Sequence, residues 1–120
     1  MRGCDMPDLM AQIVAYLATA VAAPVSTQAP ETPTARYVVI TRSGGSSTLF
    51  TLTERLTVDA IGTSDADAAA LLRSVTDAML IASDHIADVY RATVESTYRS
   101  SHDGADQWSA SVTVMANRQD

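Results

Sequence analysis

The chain contains no lysine; all eight of its basic residues are arginine. A phosphate-binding loop uses a lysine to reach the phosphate oxygens, so that chemistry is excluded in its usual form. There is one cysteine, Cys4. A lone thiol closes no disulfide within the chain and builds no cysteine zinc site. The two histidines, His85 and His102, are well separated and have no cysteine partner, so zinc-ligand spacing is lacking too. No apolar run reaches the roughly 20 residues of a membrane span. The longest weakly polar stretch, 13–25, is interrupted by Tyr16, Thr19 and Pro24. Arg2 before it and Ala20-Val21-Ala22 near its end give the outline of a signal peptide. Asp5, Asp8 and the amphipathic pattern of the stretch oppose that reading. Positive charge is also scarce. The net charge of −6 disfavours non-specific binding to nucleic acid.

What is present fits one globular domain, residues 1–120, of which 47% are hydrophobic. Residues 1–5 read as a loose, disordered lead-in. A helix is predicted over 7–22. Asp5 would cap it, Pro7 suits its first turn, and Asp8 favours the positive end of its dipole. Met6, Leu9, Met10, Ile13, Val14, Leu17, Ala20 and Val21 form its apolar face. Pro24 ends it, and Val25-Ser26-Thr27 is a candidate short strand. The proline-broken segment 29–34 reads as a loop.

The chain is organised around residues 36–82. Val38 and Ile40 alternate with Tyr37, Val39 and Thr41, which predicts a strand over 36–42. Phe50, Leu52, Leu56, Val58 and Ala60 give the same period over 49–61. Between them Ser43, Gly44, Gly45, Ser46 and Ser47 read as a hairpin turn, because glycine takes positive φ without steric cost. Five small residues bury too little surface to fix themselves, so this turn is expected to be either a mobile tip that orders on docking or a plain solvent-exposed turn with no partner. With Arg42 it forms the candidate interface. The period then becomes helical: Ala68, Leu71, Leu72, Val75, Ala78, Met79 and Ala82 share one face of a helix over 65–82, capped by Ser64.

Strands over 86–98 and 107–117 follow, joined through the turn signal Asp103-Gly104. The fold class is therefore α+β, in the order α-β-β-α-β-β. It is a mostly antiparallel sheet of four to five strands with both helices on one face. Candidates for catalysis are few. His102, Asp103 and Asp106 form an acid–base group in a polar turn with no nucleophile beside them. His85 follows Asp84 at the end of the second helix, where it suits the helix dipole better than a metal. No catalytic, cofactor or metal site is assigned. Most of the arginines on strands, at 36, 42, 55, 91 and 99, read as surface ion pairs.

Taken together, these segments resemble the tail terminator (tail completion, minor tail protein) family of long-tailed bacteriophages. An acidic opening helix ends in APVST, and a proline loop leads into ARYVVITRSGG. The segment ERLTVDAIGTSDADAAALLRSVTDAM is similar to the family's strand, polar cap and alanine-rich helix. A strand with Val89, an acidic turn at 103–106 and the final WSASVTVMANR complete the likeness, over residues 8–118. The chain departs from the family at 43–47, where such proteins carry more charge, and at 100–106, where prolines are lacking. The resemblance implies a virion structural protein forming a hexameric ring on the tail tube. That ring ends tube polymerisation and offers the surface that joins the head. Its expected partners are other copies of itself, the tail tube protein and a head–tail connector or neck protein. DNA would pass through its lumen unbound, with no cofactor, no enzymatic activity and no membrane. The alternatives are a neck or head–tail connector ring and a small enzyme or ligand-binding α+β domain.

Overall fold

The computed structural model describes residues 5–28, 36–87, 89–102 and 105–117, with backbone only at 5–8, 100–102 and 105. Its elements in chain order are α1 (Asp5–Ala20), β1 (Val25–Ser26), β2 (Tyr37–Ser47), β3 (Thr51–Gly62), α2 (Asp65–Leu80), β4 (Val89–His102) and β5 (Ala105–Asn117). A 3-10 turn, Ala82–Asp84, follows α2. The strands form one sheet in the order β1-β2-β3-β5-β4. Only the β1–β2 pair is parallel. The α+β class read from the sequence holds, with the two-residue β1 added to four long strands.

Alternation explains which face is covered. Val38 and Ile40 on β2, Leu52, Leu56, Val58 and Ala60 on β3, and Ala110, Val112, Val114 and Ala116 on β5 are all buried. Leu9, Ile13 and Leu17 from α1 and Val21 just beyond it join them, as do the seven residues expected on the inner face of the second helix, although α2 ends at Leu80 and not at 82, so that Ala82 lies in the 3-10 turn. Each large side chain so buried contributes about 1.5–3 kcal/mol. Both helices therefore lie on one face. The other face carries Thr53, Arg55, Thr57, Asp59, Ser111 and Thr113, which the period of two turns outward.

β4 follows the alternation less simply. Its register shifts between Val89 and Arg91 and again between Val94 and Ser96, so Tyr90 and Glu95 are bulge residues. Each bulge rephases the strand. Val89, Ala92 and Val94 stand opposite Ala116, Val114 and Val112 on the helix side, and Thr97 opposite Ala110. The strand starts at Val89, not near 86 as the sequence suggested. Ile86 is held in a turn, its N–H donating to the Ala82 carbonyl at 2.8 Å. Helix α1 likewise starts at Asp5, two residues earlier than predicted.

The hairpin turn is not where the glycines are. Residues 43–47 belong to β2, with Gly44, Gly45, Ser46 and Ser47 opposite Arg55, Glu54, Thr53 and Leu52. The expectation of a soft turn at Ser43, Gly44, Gly45, Ser46 and Ser47 is thus corrected. Two other needs use the glycines. The ladder shifts register between Arg42 and Gly44, which makes Ser43 a bulge residue. At Gly45 a Cβ would stand 2.5 Å from the Thr53 carbonyl oxygen, so only glycine lets the strands approach. Shortening 43–47 to Asn-Gly should therefore reduce stability in urea, because it removes paired strand. An unchanged unfolding midpoint would return the segment to the status of a turn.

Helix α2 begins as the sequence suggested. Ser64 Oγ accepts the Asp67 N–H at 3.1 Å. Asp67 Oδ2 in turn accepts the Thr63 N–H at 2.9 Å and Arg36 Nε–H at 3.1 Å. The Thr63 N–H, with Arg36 adding to it, holds the Asp67 carboxyl below its ordinary value. A carboxyl lowered in the folded state stabilises the fold above its unfolded pKa. That contribution is complete above about pH 5 and fades as pH falls through the unfolded value of 3.8 and then the folded one. Asp67→Asn should accordingly flatten the acid limb of stability against pH, measured as urea midpoints from pH 7 to pH 2. An acid limb as steep as that of the unsubstituted protein would assign the dependence to other groups.

Candidate functional site

The β2–β3 hairpin closes on Leu49 and Phe50. The Thr48 N–H donates to the Thr51 carbonyl at 2.8 Å. Thr48 Oγ1 accepts the N–H of Thr51 at 3.0 Å and of Phe50 at 3.3 Å, so one hydroxyl fixes the turn. Leu49 is 74% exposed and Phe50 75%, the most exposed large apolar side chains among the described residues. Phe50 was expected to face inward with Leu52, and the turn instead holds it out. No charge occurs over 43–53. The predicted interface residues thus form the stem of the arm whose tip is Leu49-Phe50. The signal available in the sequence was the apolar pair between Thr48 and Thr51, without glycine or asparagine to mark a turn.

Arg42, the first of the predicted interface residues, faces the helix side opposite Leu56. Its Nε stands 2.7 Å from Glu54 Oε2. Glu54 lies between Leu52 and Leu56 on the inward face of β3, and only 8% of its side chain is exposed. It stands opposite Gly45, which offers no side chain to cover it, and Val114. Although the ion pair is short, no N–H is aligned on Oε2 as a hydrogen bond. Arg42, half exposed, is therefore the counter-charge that makes a buried carboxylate tolerable here.

Beside Arg42 lies an open groove of about 700 Å³ between α1 and the β1 edge of the sheet. Met10, Ala11, Val14 and Ala15 of α1 form one wall, and Val25 the other. Its lining is mostly apolar. It sits where β1 stops covering β2, since β1 pairs only through Val38 and Val39. From 40 to 47 the outer edge of β2 has no strand neighbour among the described residues. At the opposite side of the sheet the outer edge of β4 has none along its length, again among the described residues. Tyr90 and Tyr98 of β4 are 47% and 44% exposed.

The residues considered for catalysis lie at the β4–β5 hairpin, where only the backbone register is described for His102. His102 pairs through its backbone with Ala105, whereas Asp106 stands opposite Ser101 and Gly62. Asp103 lies outside the described residues. His85 stacks on Tyr16, with ring centroids 5.0 Å apart, and the Tyr16 hydroxyl donates to the Ala78 carbonyl at 2.7 Å. Burial, helped by Asp84, raises the Tyr16 pKa. These contacts fasten α1 to the end of α2. Among the described residues no three His, Cys, Asp or Glu side chains are grouped to hold a metal ion. No helix among them is long and apolar enough to cross a membrane. What the arrangement offers is surface for association: two strand edges, an uncharged arm with an apolar tip, and an apolar groove. Neither a family model nor a curated protein matches the chain.

Proposed function

We propose that this chain is a structural protein of a long-tailed bacteriophage that assembles as a ring, hexameric by the resemblance, on the end of the tail tube. The ring ends tube polymerisation and presents the surface to which the head is joined through a connector or neck protein. Its place is the virion tail, its role is structural and not enzymatic, and it needs no cofactor. The observation that supports this reading most is that, among the described residues, both edges on opposite sides of one sheet lack strand partners. Free edges are templates for strand addition. When two different patches of identical copies meet, head-to-tail growth gives a ring if the rotation closes and a filament if it does not. Edges and helix flanks together would have to bury more than about 1,000 Å² in each joint. A charge of −6 on every subunit suits a hole through which DNA passes without adhering.

Tube protein polymerised with and without the chain, viewed by negative stain, tests the reading. The expected result is rings at tube ends and tubes of limited length. Tubes that continue to elongate in its presence would overturn capping. A neck or connector ring, the neighbouring reading, would leave tube length unchanged and bind only finished tails. Replacing His102, Asp103 and Asp106 together by alanine should leave capping intact in a folded protein.

A further inference from the structure

We infer that the hairpin tip of one copy seats Phe50, with Leu49 beside it, in the α1–β1 groove of a second copy. This joint rests on the self-association proposed above and names the surfaces that make it. The chain displays an apolar knob and, elsewhere, an apolar groove, and among the described residues both are open. Phe50 and Leu49 are three-quarters exposed, while Met10, Val14 and Val25 line the groove half-buried, and Ala11 and Ala15 are exposed. The volume of about 700 Å³ falls in the range of roughly 300–1,000 Å³ that holds small ligands, ample for two side chains.

A copy's own tip cannot reach its groove. Leu49 is seven residues along the chain from Arg42 at the groove's end, about 20 Å at the rise of a strand. The fixed turn gives the tip little freedom to fold back. Charge favours a second copy. The arm carries no charge from 43 to 53, so burying it desolvates none. Arg42 already has its counter-charge in Glu54 and presents a half-exposed guanidinium to which an entering aromatic face is attracted.

Knob and groove are different surfaces, so each copy offers one of each and the contact propagates from copy to copy. An aromatic anchor supplies roughly 150–250 Å², well under the 800 Å² or so per partner of a stable interface. The remainder is at hand, because Arg42 belongs both to the groove and to the outer edge of β2. An arm entering there lies alongside β2 main chain that pairs with no outer strand among the described residues.

Sedimentation of the full chain over a concentration series tests the joint. Phe50→Ser and Ala15→Glu, both at exposed positions, should each fold and each weaken self-association at least about 30-fold, the loss typical of an anchor residue. Mixing the two should restore a dimer that grows no further, because one intact tip meets one intact groove. With Cys4 replaced by serine, Phe50→Cys in one copy should form a disulfide with Ala15→Cys in another under mild oxidation. The inference fails if the mixture stays monomeric, or if tips cross-link only to tips. It also fails if the Ala15→Cys thiol in the monomer does not react with maleimide, since other residues of the chain would then fill the groove. Flotation with phosphatidylcholine vesicles that Phe50→Ser abolishes would make the tip a lipid anchor instead. An unsubstituted chain that stays monomeric at its highest attainable concentration overturns the joint but not capping, which tube length reports separately. Conversely, a 50–15 cross-link within open filaments upholds the joint and counts against a closed ring.

Discussion

Alanine in place of Gly62 is expected to destabilise the fold by about 2–3 kcal/mol, the upper part of the range of about 1–3 kcal/mol for forcing extra atoms into a packed site. Gly62 ends β3, and the first turn of α2 lies directly on it. A Cβ there would stand 2.5 Å from the Ala68 nitrogen, 2.8 Å from its Cα and 2.8 Å from Asp67 Oδ2. Two of those atoms are backbone within a helix and cannot swing aside. Relief would require α2 to lift from the sheet, and Ala68, Leu71 and Val75 would lose packing with it. The bonds of Asp67 to Thr63 and Arg36 lie on the same turn and would loosen together. Gly44 is the control, since nothing lies within 4 Å of a Cβ placed there. Gly44→Ala should fall within about 0.5 kcal/mol of the unsubstituted protein, as surface changes do. Urea unfolding followed by circular dichroism measures both. Equal midpoints for the two variants would refute the close approach at Gly62.

The second large effect lies at Arg42 and Glu54, and it should be asymmetric. Arg42→Ala leaves the Glu54 carboxylate between Leu52 and Leu56 with no counter-charge. Stranding one member of a fully buried pair costs about 3–5 kcal/mol. Arg42 is half exposed, so water reaches part of the site, and about 1–3 kcal/mol is expected here. Glu54→Leu should behave differently. It removes the buried charge, continues the apolar row on β3 and leaves Arg42 free to enter solvent, so stability should change by less than about 1 kcal/mol or rise. The double variant should resemble Glu54→Leu alone. Unfolding free energies for the three variants close a cycle whose coupling term reports the pair. If Arg42→Ala is harmless, the carboxylate is solvated and the pair is a surface one.

Much of the helical part of the fold was legible in the sequence. The apolar residues of α2 all lie where the 3.6 period placed them, and its cap at Ser64 is the one the sequence offers. Helical period and capping are properties of adjacent turns, so a local reading suffices. The candidate site was legible only in outline. Residues 42–47 pointed to the right arm, but its tip lies a few residues further on, at Leu49-Phe50. Thr48 builds that turn from a side-chain hydroxyl, which leaves no glycine or asparagine for a sequence reading to find.

By itself, then, the amino-acid order determined which stretches are helical or extended, apart from 43–47 and the element ends, and which face of α1, α2, β3 and β5 turns inward. Periods of 3.6 and 2 are consequences of local geometry. Tertiary structure decided the rest. A glycine pair serves a turn, a bulge or a close approach equally well, and only the register of β2 against β3 selected bulge and approach. Glu54 became a buried charge because Gly45 came to stand opposite it while Arg42 covered it. The bulges at Tyr90 and Glu95 broke a period that the chain alone could not reveal as broken. Among the described residues, the open stretch of the β2 edge and the groove beside α1 exist because β1 pairs through just two residues, Val38 and Val39 being its partners. Each of these depends on which distant segment becomes a neighbour, and pairing across the chain leaves no period in the sequence.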